Sequence, residues 1–192
     1  MKTTTLPHTF LDTEALSLVE RLKLGERAAF AEVYDRHQLQ VRALARRVVG
    51  DESLAQDLAQ EVFVALPQAI HNFEGRSRLK TFLLSMVLNH AKHYVRAAAR
   101  RRAMASRFGR EPHAVSLDGE SEASRAEIAR LLERALDELT LEHRTAFVLL
   151  ELEERTSTDA AEIVGVPEAT MRTRLFHAKR KLRERLEEWG MR

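Results

Sequence analysis

Apolar residues recur along this chain at helical spacing rather than in strict alternation. Phe30, Val33, Tyr34, Val41, Leu44, Ala45 and Val48 form one stripe, and Leu54, Leu58, Val62, Phe63 and Leu66 form a second. Each stripe predicts a helix with one buried face. Asp51-Glu52-Ser53 suits the start of the second helix, where the helix dipole is positive. Pro67 has no N–H to donate and is expected to kink or end that helix. A long helix is predicted from about 79 to 105, with Phe82, Leu83, Met86, Val87, Tyr94 and Val95 on its apolar side. Its last two turns carry Arg96, Arg100, Arg101 and Arg102. Residues 107–122, RFGREPHAVSLDGESE, lose the pattern, and their glycines and proline mark a linker. The helical period returns near 123–139, 142–153, 157–164 and 168–188. The expected fold is all-α: two small helical domains at 15–105 and 123–192, joined by a flexible linker at 106–122, with an N-terminal tail at 1–14.

Composition narrows the class. Seven Gly and four Pro in 192 residues are too few for a turn-rich all-β fold. There is no cysteine, which excludes disulfides, thiolate metal sites and Cys nucleophiles. No apolar run reaches 18 residues, and residues 1–14 lack the apolar core of a signal peptide. These features predict a soluble, cytoplasmic protein with no membrane insertion.

Charge changes the picture more. The net charge of +2 hides a segregated distribution. Residues 1–74 carry a net −3, 75–110 a net +10 with no acidic residue, 111–168 a net −10 and 169–186 a net +6. Two basic stretches separated by an acidic one suggest two contacts with a polyanion; the plainer alternative is two solvated helix faces. The acidic stretch could also lie against the basic surface of 75–110 in the free chain, a weak self-occlusion.

The segment from Thr156 to Leu175 has the spacing of a helix-turn-helix: small Ala161, Gly165 four residues later and apolar Met171 six after that. Gly165 suits a left-handed turn, Val166 and Met171 would plug the angle between the helices, and Pro167 and Glu168 suit a helix start. The second helix would project Arg172, Thr173, Arg174, His177, Lys179, Arg180 and Lys181, as a helix entering a major groove does. A helical hairpin with a solvated basic face is the alternative.

In the first module, Asp57 and Glu61 share a helix face with Gln60 beside them. They could be paired carboxylates for acid–base work or a metal, with His90 and His93 as partners. They could equally be a solvated face or a protein-docking surface. The segment Asn72-Phe73-Glu74-Gly75-Arg76-Ser77-Arg78, followed by Lys80, Asn89, His90, Lys92, His93, Tyr94 and Arg96, interleaves cations, amides and rings. Recognition of unstacked single-stranded bases uses that mixture.

Several ordered motifs carry a family resemblance: Phe30-x-x-x-Tyr34, Ala55-x-Asp57-Leu58-x-Gln60-Glu61-x-Phe63, Phe73-x-Gly75-x-Ser77, Thr81-Phe82-Leu83, Asn89 with Arg96, and Thr170-Met171-Arg172-Thr173-Arg174-Leu175 followed by Ala178 and Leu182. Over about residues 25–187 the chain resembles the bacterial extracytoplasmic-function (ECF) sigma factors of the sigma-70 family. The resemblance implies a region 2 that docks on the β′ clamp helices of core RNA polymerase and melts the −10 element. It also implies a region 4 that reads the −35 element as duplex and contacts the β flap. By resemblance, Asp57, Leu58, Gln60, Glu61 and Phe63 belong to the polymerase-docking helix. Phe73, Gly75, Arg76, Ser77 and Arg78, with Lys80, Asn89, Lys92, His93 and Arg96, would contact the −10 strand, the loop capturing a flipped base. Thr170, Arg172, Thr173, Arg174, Phe176, His177, Lys179 and Arg180 would face the −35 groove and its phosphates. Promoter DNA, core polymerase and an anti-sigma factor are the implied partners. No catalytic residue, cofactor or metal is implied. Phe82 stands where the family usually has Trp, His93 where Asp is common, and Ala169 and His177 where Gly and Arg are frequent. Two other readings stay open on the residues alone: a polymerase-independent helix-turn-helix regulator and an α-helical metal-dependent hydrolase.

Overall fold

The computed structural model describes residues 13–106 and 125–190, with side chains at 18–96 and 131–190. The linker expected at 106–122 lies almost wholly outside them, as do residues 1–12 of the expected tail. The described residues form helices and no strand. In chain order the helices are α1 (Thr13–Lys23), α2 (Arg27–Val49), α3 (Glu52–Ala69), α4 (Leu79–Ser106), α5 (Arg125–Asp137), α6 (Leu141–Phe147), α7 (Ser157–Val164) and α8 (Glu168–Glu188). A 3-10 turn, Ile70–Asn72, follows α3, and a π-helical turn, Val148–Leu152, follows α6.

Local chemistry sets the boundaries. Gly50 ends α2 in the left-handed conformation (φ 79°), its N–H donating to the Arg46 carbonyl at 2.8 Å. Asp51 then caps α3 by accepting from the Leu54 N–H at 2.7 Å. Pro67 does not stop α3 at once: the helix ends two residues later, at Ala69. Thr140 and Thr156 cap α6 and α7 through their hydroxyls. The helix expected at 142–153 instead widens after Phe147 into the π-helical turn and leaves it through Glu154, at φ 50°.

Helices α2, α3 and α4 pack on one another, with α1 against α2. In the second module α6 and α7 pack on α8, and α5 runs along α8. The modules do not stay apart. Helix α4 packs on α7 and α2 on α6, and one buried cluster runs from Leu22, Leu44 and Leu83 to Leu149, Ile163 and Met171. A smaller cluster, Ala135, Leu136, Leu139, Ala178 and Leu182, holds α5 to α8. Burial of apolar side chains at about 25 cal/mol per Å² makes the shared core the main force closing the seam. Self-occlusion was expected to be electrostatic; the surface that closes is largely apolar.

A buried arginine fastens this seam. Arg144 of α6 is only 6% exposed. Its Nε donates to the Arg47 carbonyl of α2 at 2.8 Å, and its Nη1 pairs with Asp137. Gly50 allows this approach: a Cβ there would stand 2.6 Å from Asp137 Oδ1 and 2.9 Å from Arg144 Nη2. Across the same seam Arg47 pairs with Glu153.

Candidate nucleic-acid interface

The helix-turn-helix forms as its spacing demands. Gly165 adopts φ 72° and its N–H donates to the Ala161 carbonyl at 2.8 Å. Ala161 and Met171 are buried, and Val166 packs against the core. Helix α8 therefore stands on a fixed base with its polar side outward. Arg172, Thr173, Phe176, Lys179 and Arg180 are exposed, Phe176 by 62%. Thr170 and Arg174 are half-buried. Arg172 pairs with Glu168, Lys179 with Glu151 at 2.8 Å and Arg180 with Glu184 at 3.6 Å. Such surface pairs contribute about 0–1 kcal/mol each, so phosphates can displace the carboxylates. The Thr173 hydroxyl donates to the Ala169 carbonyl at 3.0 Å, which holds it along the helix.

His177 is turned partly inward. Its ring stacks on His143 of α6 at 5.7 Å between centroids, with Phe176 edge-on to it at 5.5 Å. Burial, then the neighbouring His177 and Arg174, hold the His143 imidazole below its usual pKa, with Glu142 opposing. His37 is lowered too, by burial first and then by Arg36 and Lys80, against a hydrogen bond with Gln40. A lowered folded pKa favours the neutral ring, so the unfolded chain takes up the proton first as pH falls. Stability is therefore complete above the unfolded value near 6.5 and is lost as pH falls through the folded values. We expect the unfolding midpoint to drop as the pH is taken below about 6.5, and His143→Gln to flatten part of that drop in a thermal melt series.

The first module places its predicted residues unevenly. Arg76, Arg78, Asn89, His93 and Arg96 are exposed, and Gly75, Ser77, Lys80 and Lys92 half-buried. Phe73, expected among the residues contacting the −10 strand, is only 6% exposed, with its ring centroid 5.0 Å from that of Phe82. Its carbonyl accepts from Lys23 Nζ at 2.8 Å, so Phe73 anchors the loop rather than presenting a face to it. Phe82 keeps the packed ring expected in place of Trp. Lys92 and Arg96 line a crevice of about 740 Å³ between the modules, which Asp137 and Glu142 also line.

On α3, Asp57, Gln60 and Glu61 are exposed along one face. Leu58 is not part of that face: at 1% exposure it belongs to the core. Phe63 is half-buried, edge-on to Tyr34 at 4.8 Å. Val64, one turn beyond Gln60 and Glu61 and 79% exposed, extends the face with an apolar group that the motif reading passed over. Glu61 Oε2 lies 3.0 Å from His90 Nδ1, tying the face to α4. Among the described residues no three His, Asp or Glu side chains come together as a metal site, and no helix is long and apolar enough to cross a membrane.

Two family models match, one to each module: Sigma-70 region 2 over residues 33–101 and Sigma-70, region 4 over 129–182. The RNA polymerase sigma-H factor of Pseudomonas aeruginosa is 32% identical over 178 residues, covering 88% of this chain and 92% of the relative. The ECF RNA polymerase sigma-E factor of Haemophilus influenzae is 30% identical, covering 89% and 94%. The chain belongs to the ECF sigma factors of the sigma-70 family. Its fold agrees with solved members. It is similar to the sigma factor RpoE in complex with the anti-sigma factor NepR from Bartonella quintana, with a TM-score of 0.63 and 24% identity over 82% of this chain and 96% of that one. It is also similar to CnrH in complex with the cytosolic domain of CnrY, with a TM-score of 0.63 and 23% identity over 91% and 97%. Within this sigma factor, region 2 corresponds to the α2–α4 bundle and region 4 to the module built on α8.

Proposed function

We propose that this sigma factor binds core RNA polymerase through α3 and directs it to promoters by reading a −35 duplex with α8 and holding a melted −10 strand on α4. It acts in the cytoplasm, without catalytic chemistry, cofactor or metal of its own. The observation that carries this is the joining in one chain of a groove-sized basic helix on a helix-turn-helix and a bundle that exposes an acidic helix face. A polymerase-independent regulator has no use for that face.

On this reading Asp57, Gln60 and Glu61, with Val64 beside them, meet the β′ clamp helices, while Leu58 and Phe63 hold the helix in place. Arg76, Ser77 and Arg78 flank the base-capturing loop that Gly75 turns and Phe73 anchors. Lys80, Asn89, Lys92, His93 and Arg96 line the strand path. Arg172, Thr173, Arg174, Phe176, Lys179 and Arg180 serve the −35 groove, with Thr170 at its entry and His177 fixing the register of α8. The β flap contacts region 4. The closed seam gives an anti-sigma factor a ready-made form of the chain to hold, and RpoE was captured with such a partner.

Transcription in vitro with core polymerase on a genomic library tests the reading, and no promoter-specific transcript would refute it. In the same assay Arg172→Ala and Arg174→Ala should each weaken −35 binding by about 1–3 kcal/mol per lost base contact. Affinity for core polymerase should not change. Equal losses on all duplex sequences would mean that these side chains touch phosphates alone.

A further inference from the structure

On the side of the seam lined by Arg47, a cavity of about 260 Å³ opens between α2, the first turn of α4 and the segment leaving the π-helical turn. Its floor is apolar: Leu44, Leu84 and Leu149 are buried, and Leu39 stands 76% exposed at its edge. Its charged groups are unbalanced, with Arg47, Lys80 and Arg155 set against the single carboxylate of Glu153. Arg47 already takes Glu153. Lys80 and Arg155 therefore share the cavity with no carboxylate partner among the described residues. Burial first, then the like charges of Arg155 and Arg78, hold the Lys80 ammonium below the usual lysine range.

The backbone presenting Arg155 is unusual as well. The π-helical turn ends at Leu152, and Glu154 adopts a left-handed φ of 50°, which a side chain disfavours. Glu153, between them, turns back to Arg47, and Arg155, just beyond, lines the same cavity as Lys80. Backbone of both kinds gathers where a ligand or a partner is held.

We propose that this cavity binds a small phosphate ester, its phosphoryl group bridging Lys80 and Arg155 and its compact apolar body lying on Leu39, Leu44 and Leu84. A phosphoryl dianion matches two cations, the arginine fork taking two oxygens and the ammonium acting as a point charge. The volume is near the lower end for small-molecule sites, which favours a single-ring body. Lys80 belongs to region 2 and Arg155 to the second module, so an occupied cavity draws the modules together. The ligand binds the closed chain only and shifts the population toward it. None of this rests on the sigma-factor reading.

The test is thermal unfolding of the full chain, without DNA or polymerase, in phenyl phosphate, inorganic phosphate, benzoate and sodium chloride at equal ionic strength. Saturating phenyl phosphate should raise the midpoint by about 5 °C, more than any of the other three. Lys80→Gln and Arg155→Gln should each abolish that rise while keeping or raising the ligand-free midpoint, because each removes like-charge repulsion. Leu39→Ser, at an exposed position, should weaken the response to phenyl phosphate and not to inorganic phosphate. Arg36→Gln should leave it unchanged. An equal rise in sodium chloride, or a rise that survives both glutamine substitutions, would overturn the proposal. A larger rise in benzoate would overturn the assignment to phosphate.

Discussion

Arg144→Ala is expected to lower stability by about 2–3 kcal/mol and to part the two modules. The magnitude follows from what the side chain does. Its guanidinium is buried, satisfies the Arg47 carbonyl near the C-terminal end of α2 and pairs with Asp137. Hydrogen bonds to a charged group contribute about 1.5–3 kcal/mol, and truncation leaves the carbonyl in a seam with no donor. Asp137 is largely exposed and recovers its hydration, which keeps the loss below that of a wholly buried pair. Denaturant unfolding measures the cost, and small-angle scattering of the variant should show a larger radius of gyration. Gly50→Val should act in the same direction, because it combines a disfavoured φ with a Cβ against Asp137 and Arg144. Opening also takes Asp137 and Glu142 away from Lys92 and Arg96, with which they line one crevice, so both variants should bind a single-stranded −10 oligonucleotide several-fold more tightly than the parent. An unchanged radius together with an unchanged denaturation midpoint would show that the clasp does not hold the modules.

The combined change Asp57→Lys and Glu61→Lys should reduce affinity for core polymerase by at least about tenfold, since like charges set against a partner cost on the order of several kcal/mol. Both side chains are exposed, so the fold should persist with helicity intact, apart from the loss of the Glu61–His90 contact. Binding of the free factor to a −35 duplex should be unchanged. Unaltered affinity for core polymerase would remove α3 as the docking helix. Leu58→Ala serves as a contrast: it should lose stability through a core cavity, about 2–5 kcal/mol, before it loses any specific contact.

These two predictions draw on different kinds of information. The acidic face of α3 was readable from the chain, because Asp57 and Glu61 are one turn apart and helix geometry puts them side by side. The role of Arg144 was not. An arginine between His143 and Thr145 has no sequence mark of burial, and its partners lie on α2 and at the end of α5. Phe73 and Leu58 show the opposite error: motif position suggested contact surfaces, while packing assigned both side chains to the core. A motif records which residues occur together, and burial depends on which neighbours arrive from elsewhere.

The sequence by itself determined α2, α3, α4, α7 and α8, the helix-turn-helix and the separation of charge, because each depends on local pattern, whereas α1 and the π-helical turn after α6 carried no such mark. Periodicity is local, as are the cap at Asp51 and the left-handed turns at Gly50 and Gly165. Only the tertiary structure decided that the two modules share a core, that Arg144 fastens them, and that Lys80 and Arg155 line one cavity. Those facts depend on approaches between residues nearly a hundred positions apart, such as the one from Arg47 to Arg144. No local pattern encodes such approaches, because they are settled by the summed burial of many apolar side chains.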